Sequence, residues 1–112
     1  MAAGITTEPT ETNPAGMATS SADLPSDYAL GQNYPNPFNP VTTIRYALPA
    51  GGQVRIAVFN TLGQEVAVPI DGPEEAGYHE VIFDATPLPS GVYLFRINAG
   101  SFTDVRKMLL VR

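Results

Sequence analysis

The side chains able to do acid–base or metal chemistry in this 112-residue chain are few and scattered. The single histidine, His79, is in phase with Val81 and Phe83. That is the pattern of a half-buried residue at a strand end rather than of a general base, which needs a reacting partner within hydrogen-bond reach. Cysteine is absent, which excludes disulfides and thiolate metal sites without fixing the compartment, and no serine stands in a nucleophile elbow. One imidazole cannot supply the several nitrogen or sulfur ligands that zinc takes. Asp71, Glu74 and Glu75 lack EF-hand spacing and read as a solvated acidic loop. Glycines 51, 52, 63, 72 and 77 lie at turns with no strand–loop–helix frame around them, so no phosphate cradle is expected. The chain reads as a non-enzyme needing no metal or cofactor. Its chemistry is that of recognition.

Two segments stand out on that basis. The first is Asn33-Tyr34-Pro35-Asn36-Pro37-Phe38-Asn39-Pro40, where three prolines in six positions remove three backbone donors and push the residues before them toward extended geometry. Its asparagines can bond nearby backbone as Asx-type turns, so the segment is a rigid entry carrying two rings, Tyr34 and Phe38. The second is Lys107-Met108-Leu109-Leu110-Val111-Arg112, an apolar β-prone run framed by cations, with Arg106 just before it. Four consecutive apolar residues imply burial on both faces, or one face left for docking. An edge strand of this kind would offer unpaired backbone groups to a partner sheet.

The elements that must position these segments have a period of two. Ile44, Tyr46 and Leu48 alternate with Thr43, Arg45 and Ala47, and Val54, Ile56 and Val58 repeat the pattern after a Gly51-Gly52 turn. Asn60-Thr61-Leu62-Gly63 predicts a hairpin with Gly63 at positive φ, and Val66 and Val68 a return strand that ends at Pro69 or shortly after. Asp71 to Gly77 is expected as a loop. His79, Val81 and Phe83 then alternate with Tyr78, Glu80 and Ile82, and Tyr93, Phe95 and Ile97 with Leu94, Arg96 and Asn98. Thr86 to Gly91 and Ala99-Gly100-Ser101 are further turns, and a short strand near Ala29–Gln32 would bring the total to seven. No 3.6-residue apolar stripe appears. Short strands at this spacing predict an all-β, immunoglobulin-like antiparallel sandwich of about seven strands.

Composition divides the chain. Residues 1–30 hold four acids (Glu8, Glu11, Asp23, Asp27), no lysine or arginine, and many Pro, Thr, Ser and Ala. Such a stretch cannot bury enough apolar surface to offset its ordering entropy, so residues 1–28 are expected to be a disordered linker and 29–112 the domain. The net charge of −5 belongs mostly to the linker, which argues against a nucleic-acid partner. No apolar run approaches the roughly 18–20 residues that span a bilayer, so no membrane insertion is expected. Met1-Ala2-Ala3-Gly4 has neither the basic start nor the apolar stretch of a signal peptide, and the chain reads as part of something larger.

The order Leu30-Gly31-Gln32 with Asn33 to Pro40, then Thr43-Ile44-Arg45-Tyr46-Ala47-Leu48-Pro49, resembles the start of a type IX secretion system C-terminal sorting domain (type A; the Por secretion system sorting domain). Val54 to Val66, Leu88-Pro89-Ser90-Gly91-Val92-Tyr93 and Lys107 to Arg112 resemble its later blocks, and the Ig-like domain of flagellar hook-capping proteins shares parts of the pattern. The resemblance implies an address at the C-terminus of a larger secreted protein of Bacteroidota-type bacteria. The parent, with its own signal peptide, would enter the periplasm, be passed through the type IX translocon to the cell surface or beyond, and be trimmed there by a sortase-like peptidase. Lys107, Met108, Leu109, Leu110, Val111 and Arg112 are the expected recognition residues. Asn33 to Pro40, Gly63, Gly91 and Tyr93 are the expected structural ones. The alternatives are an accessory Ig-like spacer or a carbohydrate-binding module of a secreted enzyme, for which Tyr34, Phe38, Phe59 and Tyr78 are the aromatics that leave the inward phase.

Overall fold

The computed structural model of the protein describes residues 24–112. The linker expected over residues 1–28 therefore lies, up to Asp23, outside the described residues. Its last part does not stand apart from the domain: Pro25 is buried, and the Tyr28 ring stacks on Phe102 at 5.4 Å.

Among the described residues there are seven strands: β1 (Ala29–Leu30), β2 (Val41–Leu48), β3 (Gly52–Phe59), β4 (Glu65–Glu74), β5 (Gly77–Asp84), β6 (Gly91–Ala99) and β7 (Phe102–Leu110). They form two antiparallel sheets, a three-stranded one in the order β1-β2-β5 and a four-stranded one in the order β4-β3-β6-β7. This is the all-β sandwich that the alternation predicts. Successive side chains of a strand point to opposite faces, so each sheet turns one apolar face inward. Ile44, Tyr46, Leu48 and Phe83 come from the small sheet, and Val54, Ile56, Val58, Phe95, Ile97, Met108 and Leu110 from the large one. The chain crosses from β2 to β3, from β4 to β5 and from β5 to β6, so neither sheet can assemble from a contiguous stretch of sequence.

Two turns need glycine for a backbone reason. Gly63 closes the β3–β4 hairpin at φ +82° and Gly100 the β6–β7 hairpin at φ +59°. In the first, Asn60 Oδ1 accepts from the amides of Leu62 and Gln64, both at 3.0 Å, an Asx-type turn that orients the loop.

The region after Pro69 departs from expectation. β4 does not end there but runs on to Glu74, so Asp71–Gly77 is mostly strand, and Glu75 and Ala76 alone connect it to β5. The reason is its place in the sheet. β4 is an edge strand bonded to β3 alone, and a proline whose missing N–H faces away from the ladder removes no bond. Pro73 pairs in register with Gln53, and Pro69 falls where the register slips between Ile56↔Ile70 and Val58↔Ala67. A bulge absorbs it.

Gly63→Ala places a Cβ in the left-handed region and is expected to destabilise the domain by about 1 kcal/mol. A urea unfolding curve should show a lower midpoint with unchanged slope.

Candidate functional site

β7 is an edge strand of the large sheet, bonded on one side to β6 from Ala99↔Phe102 to Gly91↔Leu110. Its other side is not free. Phe38 forms a parallel bridge to Leu110: the Phe38 amide donates to Leu109 O and the Val111 amide to Phe38 O, both at 2.9 Å. The Leu109 amide donates to Asn36 Oδ1 at 3.0 Å, and Gln32 Nε2 donates to Lys107 O at 2.7 Å. The expectation of an open backbone edge along Lys107–Arg112 is thus corrected. The Asn/Pro segment lies along that edge and satisfies it. Its prolines forbid a regular ladder, so a side-chain amide (Asn36) substitutes where backbone pairing lapses.

The cap is itself pinned. Phe38 is buried against Phe83, ring centroids 6.4 Å apart. Asn33, also buried, donates through Nδ2 to Pro35 O (3.1 Å) and Thr42 Oγ1 (3.0 Å), while the Thr42 hydroxyl donates to Pro35 O (2.8 Å). Two buried polar side chains are thereby paired and fix the turn. Tyr34 exchanges two 2.9 Å backbone bonds with Thr43 and the Ala85 amide donates to Pro40 O, so the segment is tied to both sheets. The peptide bonds before Pro35, Pro37 and Pro40 are all cis. The two rings have diverged in role: Phe38 belongs to the core, whereas Tyr34 is 74% exposed.

Arg112 anchors the end of the run. Its amide donates to Ser90 Oγ at 3.0 Å, and its guanidinium donates to the carbonyls of Thr86 and Leu88 at 2.7 Å and of Ala85 at 3.3 Å. That turn is set by Asp84, which accepts from the hydroxyl and the amide of Thr86, and by the Tyr93 hydroxyl, which donates to Pro89 O at 2.6 Å. The Thr86 hydroxyl, then its amide, then the Arg112 charge hold the Asp84 carboxyl below its usual range.

What remains exposed is the outer face. Met108 and Leu110 point into the core, and Leu109 and Val111 point out. The run therefore keeps its alternation and leaves one face for solvent. Val92 lies opposite Leu109, Leu94 opposite Lys107 and Arg96 opposite Val105. Val92, Leu94, Val105, Leu109 and Val111 are each 36–47% exposed, an apolar stripe with Lys107 in its midst. Arg96 folds over the Phe59 ring at 4.8 Å. Sequence reading found the half of this stripe that is contiguous in the chain. It missed Val92, Leu94 and Val105, which join it only through the β6–β7 register.

A family model described as the secretion system C-terminal sorting domain matches residues 32–111. The chain belongs to that family, the type IX secretion sorting domains. Among curated proteins no match is found. The matched stretch begins at Gln32, whose side chain bonds the Lys107 carbonyl, and ends at Val111, whose amide bonds Phe38. Sorting domains form a family of secretion signals, not of enzymes. As such this domain serves secretion of a larger cargo to the cell surface or the extracellular space.

His79, Tyr46 and Asp71 of the sorting domain have structural partners. The His79 ring stacks on Tyr46 at 5.2 Å, with Nε2 2.6 Å from Glu75 O and Nδ1 3.4 Å from Glu74 Oε1. Burial, then the bond its hydroxyl donates to Glu74, pushes the Tyr46 phenol up. Asp71 faces Arg55 at 3.7 Å, and among the described residues no three His, Asp or Glu side chains converge as a metal site would require. The outer face of the small sheet carries a shallow groove of about 450 Å³ over Ala29, Gly31 and Ala47, bordered by Tyr78 and the Arg45–Glu80 pair.

Phe38→Ala should cost about 3–5 kcal/mol in urea unfolding and, before global unfolding, selectively lower the exchange protection of the Leu109 and Val111 amides. Because Asp84 is depressed when folded, its contribution is present above the ordinary carboxylate value of about 4 and is lost as pH falls through the folded-state value. Asp84→Asn should therefore flatten the acid side of the Tm–pH profile.

Proposed function

We propose that the sandwich is a folded address, read on a larger cargo by the type IX outer-membrane translocon during periplasmic transit and removed at the cell surface by a sortase-like peptidase. The observation that carries this reading is the closure of β7 by the Asn33–Pro40 segment. It leaves the outward side chains of the terminal run as a fixed pattern on a rigid strand, which is what a receptor for a folded signal needs.

Roles divide along the alternation. Lys107, Leu109 and Val111 face the receptor, with Val92, Leu94 and Val105 widening the contact. Met108 and Leu110 anchor the strand in the core, and Arg112 fixes its end on the Thr86–Leu88 turn. Gly63, Gly91 and Tyr93 serve the frame. The cargo lies N-terminal to a linker over residues 1–28, whose last residues pack on the sandwich. Peptidase cleavage falls in this linker or near its junction with the domain, where the backbone can enter a protease cleft.

The test is a fluorescent reporter with a signal peptide fused to residues 1–112, expressed in a type IX-competent bacterium and in its translocon-null derivative. Export from the first with periplasmic accumulation in the second is expected. Deletion of 108–112 should abolish export. Leu109→Glu with Lys107→Glu, which touches no core side chain, should lower it at least tenfold while leaving the melting curve intact. Periplasmic retention of the intact, folded fusion in both strains would instead favour a spacer or a glycan-binding module. Limited proteolysis should separately trim the chain to a core beginning between Leu24 and Tyr28.

A further inference from the structure

A sandwich ends in four edge strands, and their outer N–H and C=O groups template pairing with other chains unless guarded. Among the described residues, three of the four edges here are guarded. β4 carries Pro69 and Pro73 and slips register twice against β3. β7 is covered over its C-terminal end, Lys107–Val111, by Gln32, Asn36 and Phe38. β1 is two residues long, and its Leu30 carbonyl accepts from Arg106 Nε at 2.9 Å. β5 has none of these devices. It is eight residues long, has no proline, and pairs with β2 in unbroken register from Val41↔Asp84 to Leu48↔Gly77.

The ladder determines which of its backbone groups are open. Thr43 and Arg45 turn their backbone groups away from β5, since Thr43 bonds Tyr34 and Arg45 O accepts from Gly31. Neighbouring residues in a strand face opposite edges, so Thr42, Ile44 and Tyr46 turn toward β5, and Phe83, Val81 and His79 answer them. Tyr78, Glu80 and Ile82 are left with N–H and C=O directed outward. Their side chains lie on the solvent face, Tyr78 at 72% and Ile82 at 70% exposure. Between them Glu80 is already matched by Arg45 Nε at 2.8 Å.

We propose that the outer edge of β5 accepts an added strand: an extended segment of a partner protein, apolar at the positions that fall beside Tyr78 and Ile82. Three outward residues offer six backbone bonds, and the two large exposed side chains flank a charge pair that asks no counter-charge of the newcomer. A second copy of this chain is a poor occupant. Antiparallel self-pairing about Glu80 sets two carboxylates directly opposite each other, which destabilises a strand pair. A contact along one strand, about 27 Å long and about 10 Å deep, also falls well short of the roughly 800 Å² per partner of a stable dimer. It suits a passing complex. The proposal rests on the sorting reading in that the partner belongs to the export machinery, and it adds a backbone contact distinct from the side-chain stripe on the large sheet.

The test uses the same reporter fusion with Ile82→Pro. At this outward position proline removes no bond to β2 but deletes one of the outward donors of the open edge. Ile82→Lys, which keeps the backbone and guards the edge with charge, is the companion for the case in which proline unfolds the domain. The expected result is translocon-dependent export of the parent fusion, and export reduced tenfold or more in whichever variants show a native melting curve, with the folded fusion held in the periplasm. Folded variants exported like the parent would overturn the proposal while leaving the sorting reading standing. A parent fusion retained in both strains would overturn the two together. A purified chain that sediments as a dimer, with the Tyr78, Glu80 and Ile82 amides protected from exchange only in the dimer, would also overturn it by assigning the edge to a second copy.

Discussion

The structure depends on one closure: the segment entering the domain lies along its last strand. Phe38 is the pivot, since its backbone bonds Leu109 and Val111 while its ring is buried against Phe83 in the opposite sheet. Without it, the terminal strand would be an ordinary edge, held by β6 alone and open to pairing with any neighbour. With it, the two ends of the domain hold each other, and the sandwich is fastened where its two sheets would otherwise part.

That closure links folding to display. The residues that shape the terminal strand lie some seventy positions before it, as in the Gln32–Lys107 and Asn36–Leu109 bonds. Such non-local pairings carry the closure entropy of the long chain between them, so the cover on β7 is held only by a fold that is otherwise formed. The outer stripe depends instead on a local pairing, since Val92 and Leu94 meet Leu109 and Lys107 across the β6–β7 hairpin. A one-residue slip would turn Met108 and Leu110 to solvent and bury Leu109 and Val111. The buried pair therefore fixes which side chains are shown.

Much of this was legible in the sequence, and the limits have physical causes. Alternation located the inward faces of β2, β3, β5 and β6 because each sheet has one wet and one dry face, so apolar residues there can only recur at every second position. Asn60 and Gly63 marked their hairpin because few residues accept that backbone. β4 was misjudged because proline's effect depends on whether its missing N–H would have faced a neighbour, and an edge strand is not recognisable before the sheet order is known. The run Met108–Val111 was ambiguous for a related reason. Leu109 and Val111 are apolar on a face that alternation alone would have made polar. The capping of β7 was the least legible of all. Proline and asparagine announce an irregular segment, but nothing local says which strand it will lie against.

An apolar face on show carries little hazard where the backbone beneath it is engaged. Exposed apolar side chains become hazardous when they sit beside unpaired backbone, since the two together template a growing sheet. On the large sheet they are separated: the stripe over β6 and β7 is apolar, but beneath Leu109 and Val111 the backbone is engaged by β6 on one side and by Asn36 and Phe38 on the other. Lys107 interrupts the stripe, and Arg96 is turned aside over Phe59. A receptor can therefore engage those side chains as a surface, by shape and desolvation, without offering the strand a ladder to join. The segment that opens the domain is in this sense what allows its last strand to be both apolar and presentable.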